Sequence, residues 1–192
     1  MNTPNYKIQA YRADKFLSDP ELLEEKSWIA KTNTGEVVQF IQSSDINDET
    51  LYSAKDKKMD LVYLKMAEVW ATNSYCRRMQ VGCLIVKNKS IISDGYNGSP
   101  TGFPNECEDE NNQTLNYILH AEANAITKLA KSTQSSDGST LYVTVSPCFE
   151  CSKLIIQSGV KRLVFRDVYR KPDSIKFLYD AGIEIVRLKN LL

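Results

Sequence analysis

A three-layer α/β/α fold, with helices on both faces of a five-stranded mixed sheet, is the architecture this sequence predicts. From residue 59 onward, apolar stretches of strand length alternate with segments of helical periodicity in the order α-β-β-α-β-α-β-α-β. The strand–helix–strand units near the C-terminus favour parallel pairing there. The short Lys87-Asn88-Lys89 link near the start favours an antiparallel hairpin.

Taken in order, residues 1–58 read differently from the rest and are expected to form an N-terminal appendage to a main domain of residues 59–192. Asp19-Pro20-Glu21 has the N-cap, first-position proline and first-turn acid of a helix start. It predicts a helix to about Ala30, with Leu22, Leu23, Trp28 and Ile29 as its apolar positions. Residues 36–41 predict a short strand, and the polar residues 43–58 a linker. The main domain opens with a largely buried helix over 59–74, marked by Leu61, Val62, Leu64, Met66, Val69 and Trp70. Strands over 81–86 and 90–96 follow, then a helix over 120–131 favoured by Ala121, Ala123, Ala125 and Leu129. A strand over 141–145 leads to a helix over 148–158 ended by Gly159. A strand over 160–166, a helix over 172–181 ended by Gly182 and a strand over 183–188 complete the chain.

Composition narrows the function. The 192 residues carry 24 Lys and Arg against 24 Asp and Glu, for a formal net charge of zero. Neither part has the basic excess of a nucleic-acid-binding surface, so no nucleic-acid partner is expected. No apolar run is long enough to span a bilayer, and the first residues lack the apolar core of a signal peptide. No membrane partner is expected either. Five cysteines are an odd number for a disulfide framework, in a chain larger than most disulfide-dependent domains. A reducing, cytoplasmic setting is the expectation.

Two short segments carry chemistry: His120-Ala121-Glu122 and Pro147-Cys148-Phe149-Glu150-Cys151. His120 is the single histidine of the chain. Both segments fall at predicted helix starts, where the helix dipole favours thiolate over thiol. A lone C-x-x-C is as often redox-active or structural, and a lone histidine is usually an ordinary residue. Together, His120, Cys148 and Cys151 supply three zinc ligands and leave one tetrahedral position open, which separates a catalytic zinc from a structural one. Glu122 would close the site if it were a fourth ligand, so its expected role is to move protons. The whole pattern is the signature H-x-E…P-C-x-x-C of zinc-dependent nucleobase deaminases. Zinc lowers the pKa of water from about 15.7 toward ~7. The expected reaction is attack of that hydroxide on C4 of a cytosine ring. Glu122 would carry protons to ring N3 and then to the departing amine, leaving uracil.

Over residues 59–188 the chain resembles the deoxycytidylate (dCMP) deaminases of the cytidine deaminase superfamily. The likeness rests on Gln80-Val81-Gly82-Cys83, Gly95-Tyr96-Asn97-Gly98-Ser99-Pro100-Thr101-Gly102, His120 to Ile126, and Ser146-Pro147-Cys148-Phe149-Glu150-Cys151. The Gly-Tyr-Asn-Gly-x-Pro run sets this family apart from deaminases of free nucleosides. The resemblance implies conversion of dCMP to dUMP and ammonia, supplying dUMP for thymidylate synthesis. It places Asn97 on the deoxyribose, and backbone at Ala121 and Ser146 on the pyrimidine edge. Arg78, Tyr169 and Arg170 are the candidates for the 5′-phosphate, which arginine grips through paired hydrogen bonds. It also implies a homohexamer activated by dCTP and inhibited by dTTP. The effector site would involve Asn97, Gly98, Ser99 and Gly102, with Mg2+ accompanying the triphosphate. Some phage members hold a second, structural zinc with two Cys and two His. Here Cys76 and Cys107 remain without a second histidine, and two nearby reduced thiols are expected. A deaminase of tRNA adenosine or of a riboflavin precursor would share the zinc core, but the neutral charge counts against RNA. Intact Glu122 counts against a non-catalytic nucleotide sensor, and the missing fourth ligand against a structural zinc module.

Overall fold

Side chains alternate along the central strands, and that alternation sorts the core into two clusters on opposite faces of one sheet. The computed structural model describes residues 6–12, 27–31, 36–42, 54–169 and 173–188. Its elements are β1 (Tyr6–Arg12), β2 (Ser27–Lys31), β3 (Glu36–Gln42), α1 (Ala54–Ala71), β4 (Gly82–Lys87), β5 (Ser90–Tyr96) and α2 (Ala121–Leu129). They continue as β6 (Thr140–Val145), α3 (Phe149–Gln157), β7 (Arg162–Asp167), α4 (Asp173–Asp180) and β8 (Glu184–Arg187). The strands lie in the order β1-β3-β2-β8-β7-β6-β4-β5. Strands β6, β7 and β8 are mutually parallel, while β4 runs antiparallel to both β5 and β6.

On one face, Cys83, Ile85, Leu141, Val143, Leu163, Phe165 and Ile185 pack against residues of α2, α3 and α4, among them Ala121, Ala125, Ile155, Ile175 and Leu178. On the other, Leu84, Val86, Tyr142, Val164 and Val186 meet Tyr63, Leu64 and Ala67 of α1. Each fully buried Leu, Ile or Phe contributes about 1.5–3 kcal/mol. The three-layer fold around β4–β8 is the one the sequence predicts. The β4–β5 link is a two-residue turn, Asn88-Lys89, with φ of 51° and 64°. Positive φ at both central residues is the hairpin geometry that matches the strands' twist.

A polar network pins α1 to the sheet. Asp60 is buried, yet it accepts the Tyr142 hydroxyl at 2.7 Å and both terminal nitrogens of the Arg162 guanidinium at 2.9 and 2.7 Å. Such a carboxylate is tolerated in a core because its acceptors are filled. At Gly82 a β-carbon would fall on the carbonyl oxygen of Ala67, so α1 can approach β4 this closely only over a glycine.

Two expectations about the first part of the chain are corrected. Ser27 to Ala30, expected to end a helix, lie instead in β2, and residues 19–26 lie outside the described residues. Ile29 pairs with Val186 and Ala30 with Ile185, so β2 docks on the outer edge of β8 and joins β3 and β1 to the same sheet. Trp28 and Ile29 suit a strand at least as well as a helix, and sheet pairing decides between them. The expected strand over 36–41 is β3. Residues 54–58, expected to end a linker, form the first turn of α1. That turn is polar, so apolar periodicity could not mark it, although Ala and Lys are good helix formers.

Candidate active site

Two helix N-termini meet at one end of the sheet. His120 is the N-cap of α2 (φ −74°, ψ 157°) and Cys148 the N-cap of α3 (φ −73°, ψ 169°), both in extended backbone. The depth of α2 is set by β5. A β-carbon on Gly95 would fall on the carbonyl oxygen of Ala121 and lie 2.6 Å from the Ala125 nitrogen. Around this contact, the Ser93 hydroxyl donates to the Ala125 carbonyl (2.6 Å) and the Asn124 amide to that of Tyr96 (3.0 Å). Gly95→Ala is therefore expected to push back the turn that carries Ala121 and Glu122. It should cost about 1–3 kcal/mol in a denaturant titration and weaken zinc retention. Unchanged stability and zinc content would show that β5 does not seat this turn.

The imidazole Nδ1 of His120 lies 3.4 Å from the Cys148 sulfur and 3.5 Å from that of Cys151. Zn–N bonds of ~2.0–2.1 Å and Zn–S bonds of ~2.3 Å in a tetrahedron imply N···S separations of about 3.6 Å. The cluster has the size of a zinc site, and all three ligand atoms lie within 4.8 Å of one another. Its protonation points the same way. The Cys148 thiol is lowered to about 4 by the hydrogen bond from the Cys151 side chain, and further by His120 and the Cys151 N–H. Cys151 is pushed up, first because its thiol donates to Cys148 and then by burial, and His120 is raised by its own bond to Cys148. Thiol ligands must give up their protons to bind a divalent cation, and Cys148 is the one whose surroundings favour the thiolate.

Glu122, on the first turn of α2, is only 4% exposed, and burial raises its carboxyl to about 7. A cation beside it would favour the charged form. Of the sequence-expected residues, His120, Ala121, Glu122 and Cys148 line a cleft of about 300 Å³. Arg78, Asn97, Ser146 and Tyr169 line the same cleft. Arg170 lies outside the described residues.

Several of these side chains also build the cleft wall. Asn97 accepts the Val81 N–H at 2.7 Å and donates to the Met79 carbonyl at 2.8 Å, which commits half of its carboxamide's capacity. The Ser146 hydroxyl accepts the Tyr169 N–H at 2.8 Å. Gly98, Ser99 and Gly102 are not among the cleft-lining residues. The Gly98 N–H, expected to be a donor for an effector phosphate, is committed to the Leu119 carbonyl at 3.1 Å. The Ser99 hydroxyl donates to the Glu106 carbonyl at 3.4 Å, and Gly102 has a φ of 94°.

Cys76 and Cys107 are close, as expected, but they form a disulfide instead of two reduced thiols. Their Cα atoms are 5.0 Å apart, within bridging range. A count of cysteines speaks to compartment and cannot see that separation. Sequence reasoning also missed Glu108 and Thr114, which line the cleft. Glu108 sits in the acidic run Glu106 to Glu110, which carries no motif and reads as solvated surface.

A family model described as the cytidine and deoxycytidylate deaminase zinc-binding region matches residues 57–167, more than half of the chain and the part that holds His120, Glu122, Cys148 and Cys151. The chain belongs to this family. Its site is that of a zinc-dependent hydrolytic deaminase, and no helix among the described residues is long and apolar enough to cross a membrane. The chain is 35% identical over 173 residues to the deoxycytidylate deaminase of Enterobacteria phage T4, covering 67% of this chain and 90% of the phage enzyme. With the deoxycytidylate deaminase of Saccharomyces cerevisiae it shares 31% identity over 200 residues, covering 93% of this chain but 64% of the yeast enzyme's length. A crystal structure of the dCMP deaminase from cyanophage S-TIM5, in complex with dCMP and dUMP, superposes with a TM-score of 0.67 and 45% identity. That match covers 71% of this chain and 98% of the cyanophage chain.

Proposed function

We propose that this deaminase hydrolyses dCMP to dUMP and ammonia, supplying dUMP for thymidylate synthesis. One observation carries the reading: buried Glu122 stands beside a three-ligand cluster of zinc dimensions, in a cleft that also presents Arg78. The likeness to a cyanophage enzyme that holds dCMP and dUMP supports the choice of nucleotide. In this reading residues 59–192 form the deaminase unit and residues 1–58 an appendage to it.

His120, Cys148 and Cys151 would hold the zinc, and three protein ligands leave the fourth position to solvent. When bound, zinc supplies Lewis acidity that makes water a nucleophile near neutral pH. Glu122 takes a proton from that water as the oxygen bonds to C4, and delivers it to ring N3. It then carries the second proton to the exocyclic nitrogen. The C4–N bond breaks, ammonia leaves and C4 keeps a carbonyl. Backbone at Ala121 and Ser146 would meet the pyrimidine edge, Asn97 the deoxyribose, and Arg78, with Tyr169 and Arg170, the 5′-phosphate. Control by dCTP and dTTP, with Mg2+ on the triphosphate, and assembly as a hexamer belong to the same reading through family resemblance.

The test is ammonia release by the zinc-loaded protein from dCMP, dCTP, deoxycytidine and 5-methyl-dCMP, each with and without dCTP or dTTP as effector. Turnover of dCMP well above deoxycytidine is expected. Activity confined to tRNA or to a pteridine-like compound would move the chain to a sister activity.

A further inference from the structure

The cleft wall contains a buried carboxylate that the chemistry above does not use. The side chain of Glu108 is 3% exposed, and its two oxygens accept the backbone N–H groups of Arg77 at 3.1 Å and Arg78 at 3.2 Å. The Arg77 guanidinium lies 3.6 Å from the same carboxylate. Glu108 also begins a small antiparallel turn by bridging to Thr114. The Asp109 carboxylate closes the tip of this turn by accepting the N–H groups of Asn111 and Gln113, at 2.9 and 2.8 Å. At its base the Leu115 N–H donates to the Cys107 carbonyl at 2.9 Å. Thr114 accepts a hydrogen bond from the Arg78 guanidinium at 3.2 Å. One turn thus holds both ends of Arg78, and the Cys76–Cys107 disulfide joins the same two segments. Arg78, Glu108 and Thr114 all line the cleft.

We propose that Glu108 is a positioning residue that sets Arg78 to receive the phosphate monoester of the substrate, and so selects nucleotide over nucleoside. This deepens the dCMP reading above and rests on it. An arginine anchored at its backbone, with one guanidinium N–H already placed, loses less freedom when the rest of its fork closes on a phosphate. A carboxylate suits the clamp because two N–H donors converge on it and it offers acceptors only. A glutamine would turn an NH2 against one of those donors. Simple charge predicts the opposite outcome: Glu108 is an anion in an anion's cleft, and neutralising it would tighten phosphate binding. Arg77 offsets that repulsion. The two effects give opposite signs for the same variant, so the variant decides between them.

The experiment uses the full zinc-loaded chain. Kinetics are followed with dCMP and deoxycytidine, and binding of dUMP and deoxyuridine is followed by calorimetry. Glu108→Gln is expected to raise KM for dCMP about tenfold with kcat within about twofold, and to weaken dUMP by a similar factor. Deoxycytidine turnover and deoxyuridine binding should stay within about twofold. Because Glu108 acts through Arg78, adding Glu108→Gln to Arg78→Ala should cost nothing further. Thr114 is exposed, and Thr114→Val should raise KM for dCMP about threefold without touching the clamp. If Glu108→Gln does not fold, Thr114→Val decides alone, and an unchanged KM there overturns the proposal. So does unchanged or tighter dUMP binding in Glu108→Gln, or an equal loss on nucleotide and nucleoside. A wild-type chain that binds dUMP no better than deoxyuridine defeats the nucleotide reading and this inference together. One that prefers dUMP, with a Glu108→Gln variant that prefers it equally, removes only the role of Glu108.

Discussion

Glu122→Gln is expected to keep its zinc and lose deamination of dCMP by about 10³-fold or more. General acid–base catalysis is worth about 10²–10⁴-fold, and in the proposed mechanism one carboxylate serves two proton transfers. The substitution keeps size and burial but removes the group that binds and releases a proton. Glu122 lies on the first turn of α2 and is buried beside the ligand cluster, yet it is not one of the three clustered ligands. Metal content should therefore stay at the wild-type level while kcat collapses. Metal analysis and steady-state kinetics on one preparation check both halves. A variant that deaminates at wild-type rate would remove Glu122 from the mechanism, and one that loses its zinc would make it a ligand.

Cys151→Ala is expected to lose deamination together with its zinc. Cys151 is buried and 3.5 Å from the His120 imidazole, and its N–H also donates to the Cys148 sulfur, so in the proposed site it would contribute both a ligand and part of the seat for a second. Its loss leaves two ligands, too few to hold zinc in competition with a chelator, and deamination should fall below detection. Stability supplies a readout that does not depend on turnover. A ligand present at ~1,000 times its Kd stabilises the folded state by about 4 kcal/mol. The wild-type unfolding midpoint should therefore drop when zinc is chelated, and that of Cys151→Ala should not respond. A variant that keeps both its zinc and a chelator-sensitive midpoint would exclude Cys151 from the site.

The cluster of His120, Cys148 and Cys151 was legible in the sequence because each of its two segments is local. His120 and Cys148 cap helices, and a cap is written in a few adjacent residues. The alternation of helix and strand from residue 59 onward was legible for the same reason. What stayed hidden depends on partners distant in the chain. Asn97 stands in the marked Gly-Tyr-Asn-Gly-x-Pro run, but nothing there shows that it clamps Met79 and Val81. Glu108, which holds Arg77 and Arg78, carries no mark in its own neighbourhood. The Trp28-Ile29 pair fits helix or strand, and its register opposite β8 is a tertiary fact. Asp60 on α1 is tolerated in the core because Tyr142 of β6 and Arg162 of β7, far away in the chain, meet its carboxylate. The pairing of Cys76 with Cys107 belongs to the same class.

Zinc-edge X-ray absorption of the purified protein tests the account most directly. The expected spectrum shows two sulfur neighbours at about 2.3 Å, one imidazole nitrogen at about 2.0–2.1 Å and one further light atom from solvent. A protein that carries no zinc, or whose zinc is enclosed by four protein ligands, would contradict the reading of His120, Cys148 and Cys151 as an open, catalytic site.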